Sequence, residues 1–285
     1  MPSIPVFMYH HVAPNTGDMI TVTPDTFDSQ MRSIKEGGYR TLSLDETTAF
    51  ISGAFTPKEK CAVITFDDGY LDNYIHAYPV LKRYGLSAAV FLVTDWVDRA
   101  TEGTGSRKVK SPPTPPFFKG GESASFLIKK DLSSPNHAET KRLIAAGDYA
   151  KVVMTWEMAR QMSDETDGRV EFGSHTAGHC DCAAASPAEL ASQLRASKEA
   201  IERELGRPCN HLCWPKGRYN AKAVELAVAA GYKAIFTTRH GVVKQESDPL
   251  AIRRIPVKEG TAWLKKRLFI YTNPLMAALY ARLKG

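Results

Sequence analysis

Short apolar runs recur along the chain, each closed by polar residues or glycine: Ile4–Tyr9, Cys61–Phe66, Leu86–Val93, Arg169–Gly173, His211–Trp214, Tyr232–Thr237 and Ile252–Val257. Runs of this length, rich in β-branched and aromatic residues, predict buried strands, and Tyr39–Leu44 predicts another. Helical patterns lie between them. Thr23 caps a helix with Pro24 at its first position, Phe27, Met31 and Ile34 on its buried face, and Gly37-Gly38 at its end. Glu46–Ser52, Asp72–Tyr84 before Gly85, and a segment from Thr155 through Met162 follow. Ser186-Pro-Ala-Glu189 is a capping box ahead of Leu190, Leu194, Ile201 and Leu205, and Asn220 caps a helix that ends at Gly231. Strands alternating with helices predict an α/β fold with a parallel sheet, open or closed. The alternation breaks between about Arg99 and Val152, where Lys108–Gly121 is rich in proline and glycine. That stretch is expected to be an insertion, at about 100–152, tolerated on the surface or folded over the rim.

The residues with chemical potential stand where the strands end. Cys61–Phe66 stops in Asp67-Asp68-Gly69, Ile4–Tyr9 in His10-His11, Arg169–Gly173 in Ser174-His-Thr-Ala-Gly-His179, and His211–Trp214 in Pro215-Lys216-Gly217. Strand C-termini are where barrels and open α/β sheets carry their sites, and a closed barrel brings all of these ends to one mouth. Adjacent carboxylates each raise the free energy of the other's ionised form, so the Asp67-Asp68 pair calls for a cation or a positive group. His175 and His179 are four apart, which in a helical turn puts both imidazoles on one face. Two histidines and a carboxylate are a common divalent-metal set. No glutamate follows His175, which excludes the H-E-x-x-H protease pattern.

These motifs resemble those of the polysaccharide deacetylases, the NodB-homology or carbohydrate esterase family 4 group. Thr65-Phe-Asp-Asp-Gly69 is similar to the first motif, His175-Thr-Ala-Gly-His179 to the second, and Trp214-Pro-Lys-Gly-Arg-Tyr-Asn220 to a variant of the third. The resemblance implies a distorted (β/α)7 barrel that removes N-acetyl groups from amino sugars by metal-assisted hydrolysis. It assigns Asp68, His175 and His179 to one divalent metal, zinc first, with cobalt, nickel or manganese as alternatives. Asp67 becomes the general base, and the backbone N–H after Pro215, at Lys216, an oxyanion and substrate contact. The third motif usually carries an arginine that pairs with the base. Here Cys213-Trp214-Pro215-Lys216 replaces it, and Arg239 and Arg254 are both candidates to stand in. The usual late histidine is also missing near the C-terminus. Val6-Phe-Met-Tyr-His10 has its character, as in the permuted motif order of the poly-N-acetylglucosamine N-deacetylases, which points to His10 as general acid. Thr176 is expected to support the metal site through its hydroxyl.

Composition narrows the rest. With 43% apolar and 24% charged residues, 285 residues suffice for one sizeable core. No apolar run is long enough for a transmembrane helix, and Met1–Pro5 lacks a basic and apolar leader, so a cytoplasmic protein is expected. Five cysteines suit reduced thiols. The charge of +6 is concentrated: from Ala251 to Gly285 eight basic residues face Glu259 alone, interleaved with Trp263, Phe269 and Tyr271. The expected organisation is one deacetylase domain over 1–260 and a basic amphipathic segment over 261–285. That segment either rests on an anionic membrane surface or docks on the barrel as a terminal helix. Nucleic acid is excluded as a partner, since no binding motif accompanies the charge. The expected substrate is an N-acetylated amino sugar, including a lipid-linked one. The alternatives are hydrolysis of another amide or cyclic imide, and a degenerate barrel that binds glycan or membrane without turnover.

Overall fold

The structure, a computed structural model, describes residues 3–15, 17–105, 134–273 and 276. In chain order the elements are β1 (Ile4–Tyr9), β2 (His11–Val12), β3 (Thr21–Val22), α1 (Pro24–Glu36), β4 (Arg40–Thr41), α2 (Leu44–Ile51) and β5 (Cys61–Phe66). A π-helical turn (Asn73–Ala77) leads into α3 (Tyr78–Tyr84), followed by β6 (Ala88–Leu92), α4 (Thr94–Gly103), α5 (His137–Ala145), α6 (Trp156–Asp164) and β7 (Val170–Ser174). The chain then forms α7 (Pro187–Leu205), β8 (His211–Cys213), α8 (Ala221–Ala229), β9 (Ala234–His240), β10 (Val242–Val243), β11 (Ile252–Pro256) and α9 (Thr261–Thr272).

Seven parallel strands close into a barrel in the order β1-β11-β9-β8-β7-β6-β5, with β5 returning to β1 through Val6↔Val63 to Tyr9↔Phe66. The first strand therefore sits between the strand of the paired aspartates and the last strand, β11. Antiparallel β10 lies on the outer edge of β1 and short β4 beside β5. β1, β5 and β6 are buried on both faces and read as continuous apolar runs, whereas β7, β9 and β11 carry charged residues. Period-two alternation sorts the side chains. Ile4, Val6, Val63, Ala89, Phe91, Phe236 and Ile252 share one cluster, to which α2 adds Leu44, Phe50 and Ile51. Phe7, Tyr9, Ile64, Phe66, Val90 and Leu92 belong to the larger layer with the surrounding helices.

Two local expectations change, and the terminal helix takes one of its two expected places. Only Arg40–Thr41 of the predicted Tyr39–Leu44 strand is extended. Leu44 instead opens α2, because the Ser43 hydroxyl and Glu46 form a reciprocal capping box. Part of the expected insertion is regular: α4 runs to Gly103, α5 is helical from His137, and Val152, Val153 and Met154 are buried. Residues 106–133, including the proline- and glycine-rich run, lie outside the described residues. Finally, Leu264 and Leu268 of α9 are buried and Gln30 of α1 reaches the Lys258 and Gly260 carbonyls, so Thr261–Thr272 is a docked helix. Residues 277–285 of the basic tail lie outside the description.

Candidate active site

Val63, Thr65 and Asp67 follow one another at alternate positions of β5, so the Asp67 carboxylate enters the barrel interior. Its backbone N–H is held by the Tyr9 carbonyl at 3.0 Å. Asp68 breaks from this pattern at φ 73°, a left-handed conformation that turns its side chain away from its neighbour. Gly69 completes the turn at φ 74°, where a Cβ would lie 2.7 Å from Leu92 Cδ2, so no larger residue fits. One dipeptide thereby serves two environments.

Asp67 meets Arg254. Both guanidinium Nη atoms donate to its two carboxylate oxygens at 2.7 Å, a bidentate pair with both side chains buried. Arg254 Nε donates to the Thr237 carbonyl at 2.9 Å, and Nη1 to Thr65 Oγ1 at 3.2 Å. Its remaining reach is toward Cys213 Sγ, 2.9 Å from Nη2. Burial works against the Asp67 charge, but Arg254 outweighs it and holds the carboxyl below its usual range. The arginine absent from the third motif is therefore supplied by β11. Arg239, the other candidate, lies over the Tyr219 ring 5.3 Å from its centroid.

Asp68 Oδ1 lies 3.4 Å from His175 Nε2 and 3.3 Å from His179 Nε2. It is buried and has no hydrogen-bond partner among the described residues. His175 Nδ1 is 2.8 Å from the Cys213 carbonyl, which can only accept; this fixes the proton on Nδ1 and leaves Nε2 bare toward Asp68. Burial pushes the His175 imidazole down to about 4, the neutral form a metal requires. An orphaned buried carboxylate oxygen facing the Nε2 atoms of two imidazoles, that of His175 bare, fits a divalent metal. A second set, Asp67, His175 and Cys213, is also close enough to share an ion. Its carboxylate is already committed to Arg254, and burial raises the Cys213 thiol well above its ordinary value.

The two histidines do not converge through a helical turn, contrary to the spacing argument. Residues 175–180 are a loop in which Thr176 (φ 63°) and His179 (φ 56°) are left-handed. Neighbours impose that path: His175 N–H bonds Leu92 O, Asp95 N–H bonds Ala177 O, and Gly178 N–H bonds Gln193 Oε1 of α7 at 2.6 Å. Ser174 Oγ, itself tied to Ser197 at 2.8 Å, takes the Thr176 N–H. The Thr176 hydroxyl has no partner among the described residues.

His10 Nε2 stands 3.8 Å from Asp67 Oδ2 on a partly exposed ring. Pro215 is buried on a tight turn after β8, and Lys216 is exposed with φ 55°. The mouth thus gathers Asp67, Asp68, His175 and His179 with His10 beside them. Sequence reasoning left Arg254 undecided and missed Tyr70, whose burial and proximity to Asp68 raise its phenol. It also missed Trp96, 5.3 Å from the His179 ring.

The polysaccharide deacetylase family model matches residues 55–235. The chain belongs to the polysaccharide deacetylase family. Among curated relatives of this family, the polysaccharide deacetylase homologue YxkH of Bacillus subtilis is 26% identical over 257 residues, covering 90% of this chain and 72% of that one. The poly-β-1,6-N-acetyl-D-glucosamine N-deacetylase of Escherichia coli K12 is 29% identical over 244 residues, 82% of this chain but 34% of its own length. Among solved structures, the Streptococcus pyogenes deacetylase PplD superposes with a TM-score of 0.72 at 23% identity, covering 96% of this chain and all of that one. IcaB from Ammonifex degensii gives 0.69 at 18% identity, with 96% and 98% covered. Both share the fold of the deacetylase barrel.

Proposed function

We propose that this deacetylase-family protein is a metal-dependent hydrolase that removes N-acetyl groups from amino sugars of a polysaccharide, glycolipid or sugar-conjugate precursor. The observation that carries this is the split of one Asp-Asp pair: Asp68 faces the Nε2 atoms of two imidazoles, while Asp67 is clamped by Arg254. A divalent metal held by Asp68, His175 and His179, with zinc the first choice, would supply Lewis acidity to the acetamide and to water.

The chain's own groups account for proton movement. Asp67, kept ionised by Arg254, accepts a proton from the attacking water. His10, at the same mouth, donates a proton to the departing amine; its place at the end of β1, a strand beside both β5 and β11, supports that role. The Lys216 N–H is the proposed oxyanion donor, on a turn whose left-handed residue aims the backbone. The motif order, with His10 ahead of the aspartates, and the substrate named for the Escherichia coli relative both favour an N-acetylglucosamine polymer or its precursor. Exposed Lys265, Lys266 and Phe269 on α9 favour a substrate presented at an anionic membrane surface.

Metal analysis coupled to acetate release from N-acetylhexosamine conjugates tests the proposal. One metal per chain and acetate release are expected from the wild type, with both lost in Asp68→Ala or His175→Ala. Turnover retained in either variant refutes the metal site. Stoichiometric metal with no turnover on any acetylated sugar favours the non-catalytic barrel.

A further inference from the structure

One hydrogen-bonded chain at the mouth is unused by this chemistry. His11 is buried, and its ring lies against Tyr70 with centroids 3.9 Å apart and planes within 14°. Its Nδ1 is 2.6 Å from Asp72 Oδ2, and its Nε2 is 3.1 Å from Nδ1 of His137, the first residue of α5. Asp72 Oδ1 accepts from Val12 N–H at 3.2 Å and from Asn73 Nδ2 at 2.8 Å. The same Asn73 amide donates to the His10 carbonyl at 2.8 Å. The device that fixes His11 is thus the one that fixes the backbone of His10.

A carboxylate accepts, so His11 carries its proton on Nδ1 and meets His137 through Nε2 alone. Neutral His11 accepts there from His137 Nδ1–H, which leaves Nε2 of His137 a bare acceptor. Protonated His11 donates there, which makes Nε2 of His137 a donor. In both cases buried groups beyond the strand ends aim the His137 ring, and among the described residues its Nε2 has no partner, which leaves it to an outside one. Burial, the His11 ring and Lys141 push the His137 imidazole down to about 4, while Asp18 and Asp68 pull the other way, so the ring lies within electrostatic reach of the metal-site carboxylate. His137 is half-exposed, whereas the rest of the chain behind it is buried. A residue needed only to latch α5 to the barrel would require nothing of its outward nitrogen.

We propose that His137 Nε2 hydrogen-bonds a hydroxyl of the amino-sugar substrate at the barrel mouth, with His11 and Asp72 as its positioning residues. The proposal rests on the deacetylase function and adds a specificity-determining residue from the inserted segment. Asparagine can replace the inward Nδ1 of a histidine and glutamine its outward Nε2, so two variants separate the roles. With zinc-loaded enzyme and a tetramer of N-acetylglucosamine, His137→Asn is expected to raise KM about tenfold, the scale of one lost hydrogen bond, with kcat within about threefold. His137→Gln keeps the outward group but loses the His11 contact, and is expected to raise KM less than His137→Asn does, with kcat within about threefold. The reverse order, with Gln impaired and Asn near wild type, identifies a latch and overturns the proposal, as does an unchanged KM in His137→Asn. The same tetramer is titrated into 15N-histidine-labelled wild type. A shift of the His137 Nε2 signal that saturates supports the contact even if no acetate is released, and in that case only the deacetylase reading fails. Acetate release with a stationary His137 signal overturns the contact and leaves the deacetylase reading intact.

Discussion

Arg254 shows what a buried charge needs in order to be useful. Its Nε and both Nη groups have acceptors, and its partner Asp67 has both oxygens occupied, so neither charge is stranded. Arg254→Met leaves Asp67 buried beside an apolar chain, and urea unfolding is expected to show a loss of about 3–5 kcal/mol at neutral pH. The same change should be visible in the pH profile. Arg254 lowers the Asp67 pKa, and the base acts only when ionised, so activity falls as pH drops through that value. Removing the guanidinium raises the pKa, and the acid limb of kcat/KM is expected to move to higher pH; an unmoved limb counts against Asp67 as the base. The aspartates were legible because they stand together at the end of an apolar run. Their arginine was not, because 187 positions separate the partners and nothing local distinguishes Arg254 from Arg253 or Arg239. Only strand order and pleat decide it: Arg254 faces inward and buried, and Arg253 is exposed.

At the level of elements, the strand–helix alternation was readable because apolar runs and caps are local signals. Thr23, Thr155, Ser186 and Asn220 all cap helices through their side chains. The 174–179 loop was not readable, since its left-handed residues are imposed by Gln193, Ser197 and the β6–α4 junction rather than by its own sequence. At the opposite end of the barrel, Ser43→Ala removes half of the α2 capping box and is expected to cost about 1 kcal/mol in thermal or urea unfolding. Leu44 N–H there donates to Glu171 at 2.6 Å, in a cavity shared with Asp45, Arg207 and His211. Burial pushes the Glu171 carboxyl up to about 8. A folded-state pKa above the unfolded one means the native state binds more protons, so this group's contribution to stability is full below about 4.5 and is lost as pH rises through 8. Glu171→Gln is expected to flatten that decline, which unfolding curves at pH 5, 7 and 9 would reveal; an equally steep decline would assign it to other groups.

For the whole molecule, the family match over 55–235 holds the aspartates and both candidate metal-binding histidines but stops short of β1 and β11. Those two strands carry His10 and Arg254, and they are neighbours in the closed sheet. Deleting residues 1–12 is therefore expected to open the barrel between β5 and β11, abolishing the cooperative thermal transition and promoting association, measured by circular dichroism and light scattering. Sharp melting of the truncated chain would argue against closure by β1. The position of β1 also bears on synthesis. One of its edges finds β5 early, but its other neighbour, β11, is made only after all the other barrel strands. At about 5–20 residues per second the nascent chain spends tens of seconds at most with an incomplete cylinder and an unpaired, apolar strand edge. Throughout that interval the eventual interior is open to water and to other chains. Molecules folding on crowded ribosomes therefore stay open to joining one another until β11 arrives, a hazard of synthesis that the closed barrel removes once it is complete.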